Sequence, residues 1–128
     1  MVCVLAARPH VRTGDPTMRT GVRTVSVIAP ARLHLGFLDM NGSRGRRFGS
    51  VGLTLDGPCV ELSVRRGASF AIAGPQAERA AMFAHALRSR FNLPHDFQLA
   101  VSRTNPEHVG LGSRTQLGIA VGVAMARL

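Results

Sequence analysis

The chain has 128 residues and 45% hydrophobic residues, which fits one globular domain with a core and excludes wholesale disorder. No apolar run reaches the ~18 residues that a membrane span needs. The net charge is +9 and every basic residue is arginine, which favours an anionic partner, although codon bias in a GC-rich genome is an alternative explanation for the missing lysine.

Residues 1–20 have no hydrophobic period and are predicted to be an irregular tail, with Met18 as an alternative start. The first basic residue, Arg8, follows the short apolar patch, which is the reverse of the order in a signal peptide. We therefore expect a cytoplasmic protein. A single patterned domain is predicted over residues 21–128.

The first part of this domain alternates with the period of β-strands. Strands are predicted before Pro30, which should end the first of them, and after it in RLHLGFLDM. A loop follows Asn41-Gly42, and Asp56-Gly57-Pro58 should form a turn between two further strands. A short strand in SFAIAG ends this β-rich part.

The period then changes to that of a helix in QAERAAMFAHALRSRF, with Pro94 after its end. DFQLAVS returns to strand alternation, and a last helix is expected from about Ser113 to Leu128, with Gly118 and Gly122 allowing close packing on the sheet. This last helix is apolar nearly all round, so we expect it to be covered on more than one side. The order predicts an α+β domain with a mainly antiparallel sheet and helices on one face.

The loop Gly110-Leu111-Gly112-Ser113 stands between the last strand and the last helix. Glycines allow close backbone approach, and a helix N-terminus presents free N–H groups with partial positive charge, so the loop can hold a phosphate. The alternative is an ordinary strand-to-helix turn with glycine at the bend. Ser113 either adds a hydroxyl donor or serves as the helix N-cap. The pattern is not that of a P-loop.

Two blocks of the sequence carry a family resemblance. PEHVGLGSRTQL resembles the glycine-rich motif of the GHMP kinase superfamily, and APARLHLGFLDMNG is similar to its N-terminal segment. ARLHLGFLDMNGSRGRRFGSVGLTLDGP together with HVGLGSRTQL resembles one branch, the β-ribofuranosylaminobenzene 5′-phosphate synthases.

The resemblance implies a two-layer β-α sandwich, of the type shared with a ribosomal protein, as the N-terminal domain of a larger enzyme whose C-terminal domain would be absent here. The family joins phosphoribosyl pyrophosphate to 4-aminobenzoate or a hydroxybenzoate, with release of pyrophosphate and carbon dioxide, in methanopterin biosynthesis. Mg²⁺ usually accompanies the pyrophosphate, although no metal-ligand spacing is visible. The chain alone is expected to be inactive and prone to associate, and a homodimer is left open.

Several residues are candidates for this chemistry. The loop offers backbone or hydroxyl groups of Gly110, Leu111, Gly112, Ser113 and Thr115, and the arginines Arg32, Arg46 and Arg47 are candidate ligands of phosphate or carboxylate. His34 and His108 flank the motifs as candidate acids, bases or positioning groups, and Asp39 is a candidate for a metal or a ribose hydroxyl. For each of these side chains, a purely structural role is the alternative.

Arg114 departs from the motif, which normally has Gly or Ser at this position. Its guanidinium either adds a phosphate contact or blocks the phosphate cradle, and we expect the second because a small residue leaves room for substrate.

A small phosphorylated molecule is the expected partner. Without Trp or Tyr, and without interleaved basic and aromatic residues, nucleic acid is not expected. An ATP-binding kinase of the same superfamily and a non-catalytic binding module remain alternatives.

Overall fold

The computed structural model describes residues 10–13, 24–43, 45, 49–92 and 96–128. Five strands and two helices follow one another along these residues. They are β1 (His10–Thr13), β2 (Thr24–Leu38), β3 (Gly49–Arg66), β4 (Ala71–Ala73), α1 (Ala77–Phe91), β5 (Phe97–Arg103) and α2 (Ser113–Arg127).

The strands form one sheet in the order β1-β2-β3-β5-β4, in which every neighbouring pair is antiparallel except β4 and β5. The predicted α+β class with a mainly antiparallel sheet is therefore confirmed. β1 lies inside the range 1–20 that the sequence analysis treats as an irregular tail, and the remainder of that range lies outside the described residues. Its single aliphatic residue, Val11, gives no alternation from which a strand could be predicted.

β2 and β3 are longer than predicted because they continue through both expected breaks. β2 passes through Pro30, and β3 passes through Asp56-Gly57-Pro58, which is not a hairpin turn. Pro30 pairs with Cys59 but Arg32 pairs with Thr54, so β3 carries extra residues at this point. This irregularity accommodates the prolines, whose missing N–H would otherwise interrupt a regular ladder.

The core lies between the sheet and both helices. β2, β3 and β5 contribute alternate residues, and the helices contribute small or aliphatic side chains from one face each. The buried residues include Val25, Val27, Val60, Leu62, Val64, Phe97, Leu99, Ala80, Ala84, Leu117, Val121 and Ala124. Burial of a Val or Leu side chain contributes about 1.5–3 kcal/mol relative to exposure, so this cluster is the main source of stability.

The glycines of α2 face α1 and not the sheet, which corrects the expectation for Gly118 and Gly122. A Cβ on Gly118 would lie 3.3 Å from the Phe83 ring, and one on Gly122 would lie 3.7 Å from Leu87 Cδ1. The residues that α2 buries in the core are Leu117, Ala120, Val121, Ala124 and Met125. The sheet and α1 both pack on α2, while Ile119 of this helix is exposed.

Beyond the irregularity, residues 32–38 of β2 and 49–54 of β3 pair only with each other and form a two-stranded ribbon. Large apolar side chains of the ribbon are exposed, among them Leu35, Phe37, Leu38, Val51 and Leu53. The ribbon is thus an extension of the sheet past the region where its core face is buried.

Both helices have 15 residues. Across the described ranges, no helix is long and apolar enough to cross a membrane.

Candidate functional site

The glycine loop lies along the edge of β2. The N–H of Arg32 donates to the Leu111 carbonyl at 3.2 Å, and the N–H of His34 donates to the Gly110 carbonyl at 3.4 Å. β1 pairs with β2 only at residues 25–28, so the loop occupies the next part of the same edge. The two sequence blocks that carried the resemblance therefore meet in space, although Arg32 and Leu111 are 79 positions apart along the chain.

The backbone of the loop alternates in handedness. His108, Gly110 and Gly112 have φ of 60°, 76° and 64°, while the residues between them do not have positive φ. Alternation of this kind turns successive N–H groups towards one side and makes a concave anion-binding nest. Because the carbonyls of Gly110 and Leu111 are taken by β2, the N–H groups are the part of the loop that is left for a ligand.

α2 begins without a side-chain cap. Gly112 is the N-cap in a left-handed conformation, so Ser113 is the first helical residue and not the N-cap. An ordinary turn with glycine at the bend remains the alternative to an anion site. The first hydrogen bond of the helix runs from Gln116 N to Gly112 O at 2.9 Å. The N–H groups of Ser113, Arg114 and Thr115 have no acceptor inside the helix, and the first turn contains no acidic residue that would compete with an anion.

Arg32 reaches the loop by its backbone, whereas its guanidinium lies across β3. A Cβ on Gly52 would lie 2.6 Å from Arg32 Nε, so the arginine occupies the space that this glycine leaves open. The side chain is half-buried in this position. Gly52 was not predicted as a site residue. It is recognised as part of the site only because it leaves the space that the Arg32 side chain occupies.

The two candidate histidines are exposed. The His34 ring packs against Phe37, with 4.7 Å between ring centroids, and its backbone holds the loop. His108 stands within the loop in a left-handed conformation. Their catalytic roles remain predictions.

Of the other candidates, two lie outside the described part of the chain and one lies in the turn after β2. Arg46 and Arg47 lie outside the described residues. Asp39 follows β2 at positive φ, its carbonyl accepts from Gly42 N, and its carboxylate accepts a hydrogen bond from Ser43 Oγ at 3.3 Å. These contacts are those of a turn residue. In the part of the chain that the structure describes, no group of three or more His, Cys, Asp or Glu side chains could hold a metal ion.

Two residues next to the loop were missed by the sequence analysis. Glu107 forms an ion pair with Arg79 of α1, and Arg79 also donates to Gln76 Oε1 at 3.0 Å, so the loop is tied to the start of α1. Asn105 precedes the loop and is fully buried. No sequence signal joins Glu107 to Arg79, because the pair depends on how α1 packs.

Arg114 and Thr115 line a groove between α2 and α1, together with apolar residues of both helices. Both side chains are exposed. The expected obstruction of the phosphate cradle by Arg114 remains a prediction. Because Arg114 also lines the groove, its guanidinium has the groove as an alternative location to the cradle.

Comparison with protein-family models gives no match. Three curated proteins named beta-ribofuranosylphenol 5′-phosphate synthase are similar to the chain. The protein from Archaeoglobus fulgidus is 34% identical over 99 residues, or 77% of this chain. Those from Methanothermobacter thermautotrophicus and Methanocaldococcus jannaschii are 37% and 29% identical over 76% and 77% of it.

The chain spans about a third of the length of these relatives, 32% to 34%. The resemblance to this group of synthases, predicted from the two sequence blocks, is confirmed at this level of identity.

Proposed function

We propose that the chain provides the anion-binding part of a phosphoribosyl-transferring synthase similar to the relatives named above. The observation that carries the proposal is the junction of β2 with the glycine loop, in which two backbone hydrogen bonds fix the loop and leave its N–H groups for a ligand. We assign the domain to the GHMP kinase N-terminal type, which agrees with the observed α+β architecture.

In the proposed reaction, the bond between ribose C1 and the pyrophosphate oxygen breaks, and the pyrophosphate leaves with the electron pair. C1 bonds to the ring carbon that carries the acceptor's carboxylate, and the electrons of the lost carbon–carboxylate bond restore the aromatic ring as carbon dioxide leaves. The N–H groups of the loop and of the first turn of α2 stabilise the charge that builds on the pyrophosphate. The name of the relatives describes a ribosylated phenol, which supports a hydroxybenzoate rather than 4-aminobenzoate as acceptor.

In the proposed function, Mg²⁺ is expected to bind together with the pyrophosphate group of the substrate. Mg²⁺ commonly keeps several waters and binds through substrate phosphates with one or two carboxylates. Of the described acidic residues near the loop, Glu107 is paired with Arg79, so no step of the reaction is assigned to a protein-held metal.

Titration of the purified chain with phosphoribosyl pyrophosphate and with ATP tests the proposal. We expect phosphoribosyl pyrophosphate to bind and Gly112→Val to weaken its binding about tenfold to a hundredfold, because loss of a charge-assisted contact corresponds to about 1.5–3 kcal/mol. Gly36→Val is the matched control, since Gly36 also has positive φ but lies in the ribbon, where an added Cβ would meet nothing within 4 Å.

Equal losses in Gly36→Val and Gly112→Val would mean that general strain, and not the cradle, causes the effect. Preferential binding of ATP with phosphorylation of an alcohol would replace the proposed function by that of a kinase. Binding of neither ligand would favour a non-catalytic module.

A further inference from the structure

Glu107 brings a negative charge into a segment that otherwise favours anions. It is the only acidic residue that follows Asp96 in the sequence, and it directly precedes His108, where the alternating handedness of the loop begins. Glu107 and Gly110 are three positions apart, and three residues of chain span at most about 11 Å. This distance is comparable with the Debye length of about 8 Å at physiological ionic strength. An uncompensated carboxylate at this position would therefore repel a phosphate in the loop.

The Glu107 carboxylate is held at the start of α1. Arg79 Nη1 donates a hydrogen bond to Glu107 Oε1, and the same nitrogen donates to Gln76 Oε1 at 3.0 Å. Gln76 is the N-cap of α1, so Arg79 belongs to the first turn of this helix. The ion pair thus lies at a helix N-terminus, which carries partial positive charge and has no side-chain cap. The guanidinium and the helix end both compensate the carboxylate.

Helix stability does not account for an arginine at position 79. A cation in the first turn of a helix is unfavourable against the helix dipole. The side chains of Arg79 and Glu107 are 30% and 36% exposed, and ion pairs with this exposure contribute little to the free energy of unfolding. The main consequence of the contact is therefore local, because it fixes and compensates the negative charge that stands next to the glycine loop.

We propose that Arg79 is a positioning residue of the anion site, which neutralises Glu107 and holds its carboxylate at α1, so that the glycine loop attracts phosphate. Arg79 acts through Glu107 and is not itself a ligand of the phosphate. Without Arg79, the freed carboxylate repels the anion and competes with it for the N–H groups of the loop. The inference rests on the proposed function, because it requires that the loop binds an anion. The anion affinity of the loop then depends on α1 as well as on β2 and α2.

A double-mutant cycle with inorganic pyrophosphate as the probe tests the inference. Isothermal titration calorimetry is performed on the wild-type chain, Arg79→Gln, Glu107→Gln and the double variant. We expect Arg79→Gln to weaken pyrophosphate binding about threefold to tenfold at low ionic strength, because an uncompensated charge then stands about 10 Å or less from the anion. Glu107→Gln should not weaken binding, and in its background Arg79→Gln should lose most of its effect.

Two controls remove the same charges elsewhere in the molecule. Arg90→Gln removes an exposed arginine from the last turn of α1, and Asp96→Asn removes an exposed carboxylate at the end of β5 that is remote from the loop. Each should change the pyrophosphate affinity by less than about twofold, because screening weakens distant charges. The loss in Arg79→Gln should shrink at about 1 M salt for the same reason, and circular dichroism verifies that each variant is folded.

Equal losses from Arg79→Gln with and without Glu107 would overturn the inference, because Arg79 would then be a direct ligand of the phosphate. A loss in Glu107→Gln as large as that in Arg79→Gln would also overturn it, because the ion pair would then act only as a tether of the loop. Unchanged affinity in a folded Arg79→Gln chain would refute this inference and leave the proposed function intact. Absence of pyrophosphate binding in both the wild-type chain and Glu107→Gln would refute the two together.

Discussion

β2 and β3 each have a half that is buried under the helices and a half that is exposed in the ribbon, and the two halves have similar alternating apolar sequences. In the core half, Val25, Val27, Leu62 and Val64 are buried under the helices. In the ribbon, Leu35, Phe37, Val51 and Leu53 are exposed, although the residues there are at least as apolar. Alternating hydrophobic residues therefore predict a strand, while burial depends on which part of the sheet the helices reach.

The sharpest test of this contrast is a matched pair of Leu→Ala substitutions on β3. Leu62 is 3% exposed and Leu53 is 52% exposed. We expect Leu62→Ala to reduce the free energy of unfolding by about 2–5 kcal/mol, because it leaves a cavity in the core, and Leu53→Ala to change it by about 0.5 kcal/mol or less. The chain has no Trp or Tyr, so urea unfolding followed by circular dichroism is the appropriate measurement. Similar losses at both positions would show that the ribbon is buried in solution.

The contrast between crowded and open surroundings can also be tested at two glycines with positive φ, Gly74 and Gly45. A Cβ on Gly74 would lie 1.9 Å from the Val101 carbonyl oxygen of β5, whereas one on Gly45, between β2 and β3, would meet nothing within 4 Å. We expect Gly74→Ala to destabilise the fold by about 2–4 kcal/mol from strain and overpacking, and Gly45→Ala by about 1 kcal/mol from strain alone. Thermal unfolding of both variants measures the difference. Comparable values would mean that β4 can move away from β5 without loss.

A smaller effect is expected at Gly52, where the ribbon accommodates Arg32. Gly52→Ala places a Cβ against the movable end of that side chain, so the loss of stability should be below about 1 kcal/mol. In a double-mutant cycle, the Arg32→Ala background should remove this loss, because the clash is then gone. An undiminished loss in that background would indicate strain in the backbone instead.

The smallest expected effect concerns Cys59, at the irregularity between the two halves. Burial raises the pKa of the Cys59 thiol above its ordinary value of 9.0, and the hydrogen bond to Glu61 raises it further. Above pH 9.0, unfolded chains lose this proton before folded ones do, so stability should fall as pH rises towards the folded pKa.

In a Cys3→Ser background, alkylation of Cys59 should reach half its maximal rate at a lower pH when Glu61→Gln is introduced. Glu61→Gln removes a hydrogen bond and a negative charge that both disfavour the thiolate, and Arg103 loses its ion-pair partner. The Cys3→Ser protein with Glu61 intact is the control. An unchanged pH midpoint would show that burial alone sets the pKa.

From the second strand onwards the sequence predicted which regions form strands and which form helices, because each carries its own period, but it divided β2 and β3 into two strands each. It did not predict that β2 continues through Pro30, since the pairing irregularity depends on the partner strand. The glycine loop was found from its motif, whereas its contact with β2 was not predicted, because it depends on how the chain folds. The Arg79–Glu107 pair and the groove lined by Arg90 and Arg114 depend on how helices pack, which no local pattern encodes.

The two hydrogen bonds from β2 to the glycine loop also give a spectroscopic reporter of ligand binding. The amide protons of Arg32 and His34 exchange with solvent only when the loop separates from the strand. A ligand that binds the closed loop lowers the population of the open form, so deuterium uptake at these two amides should slow as the ligand concentration rises. Amides of Val25 and Val27, which lie in the same strand away from the loop, should exchange at unchanged rates unless the whole domain is stabilised.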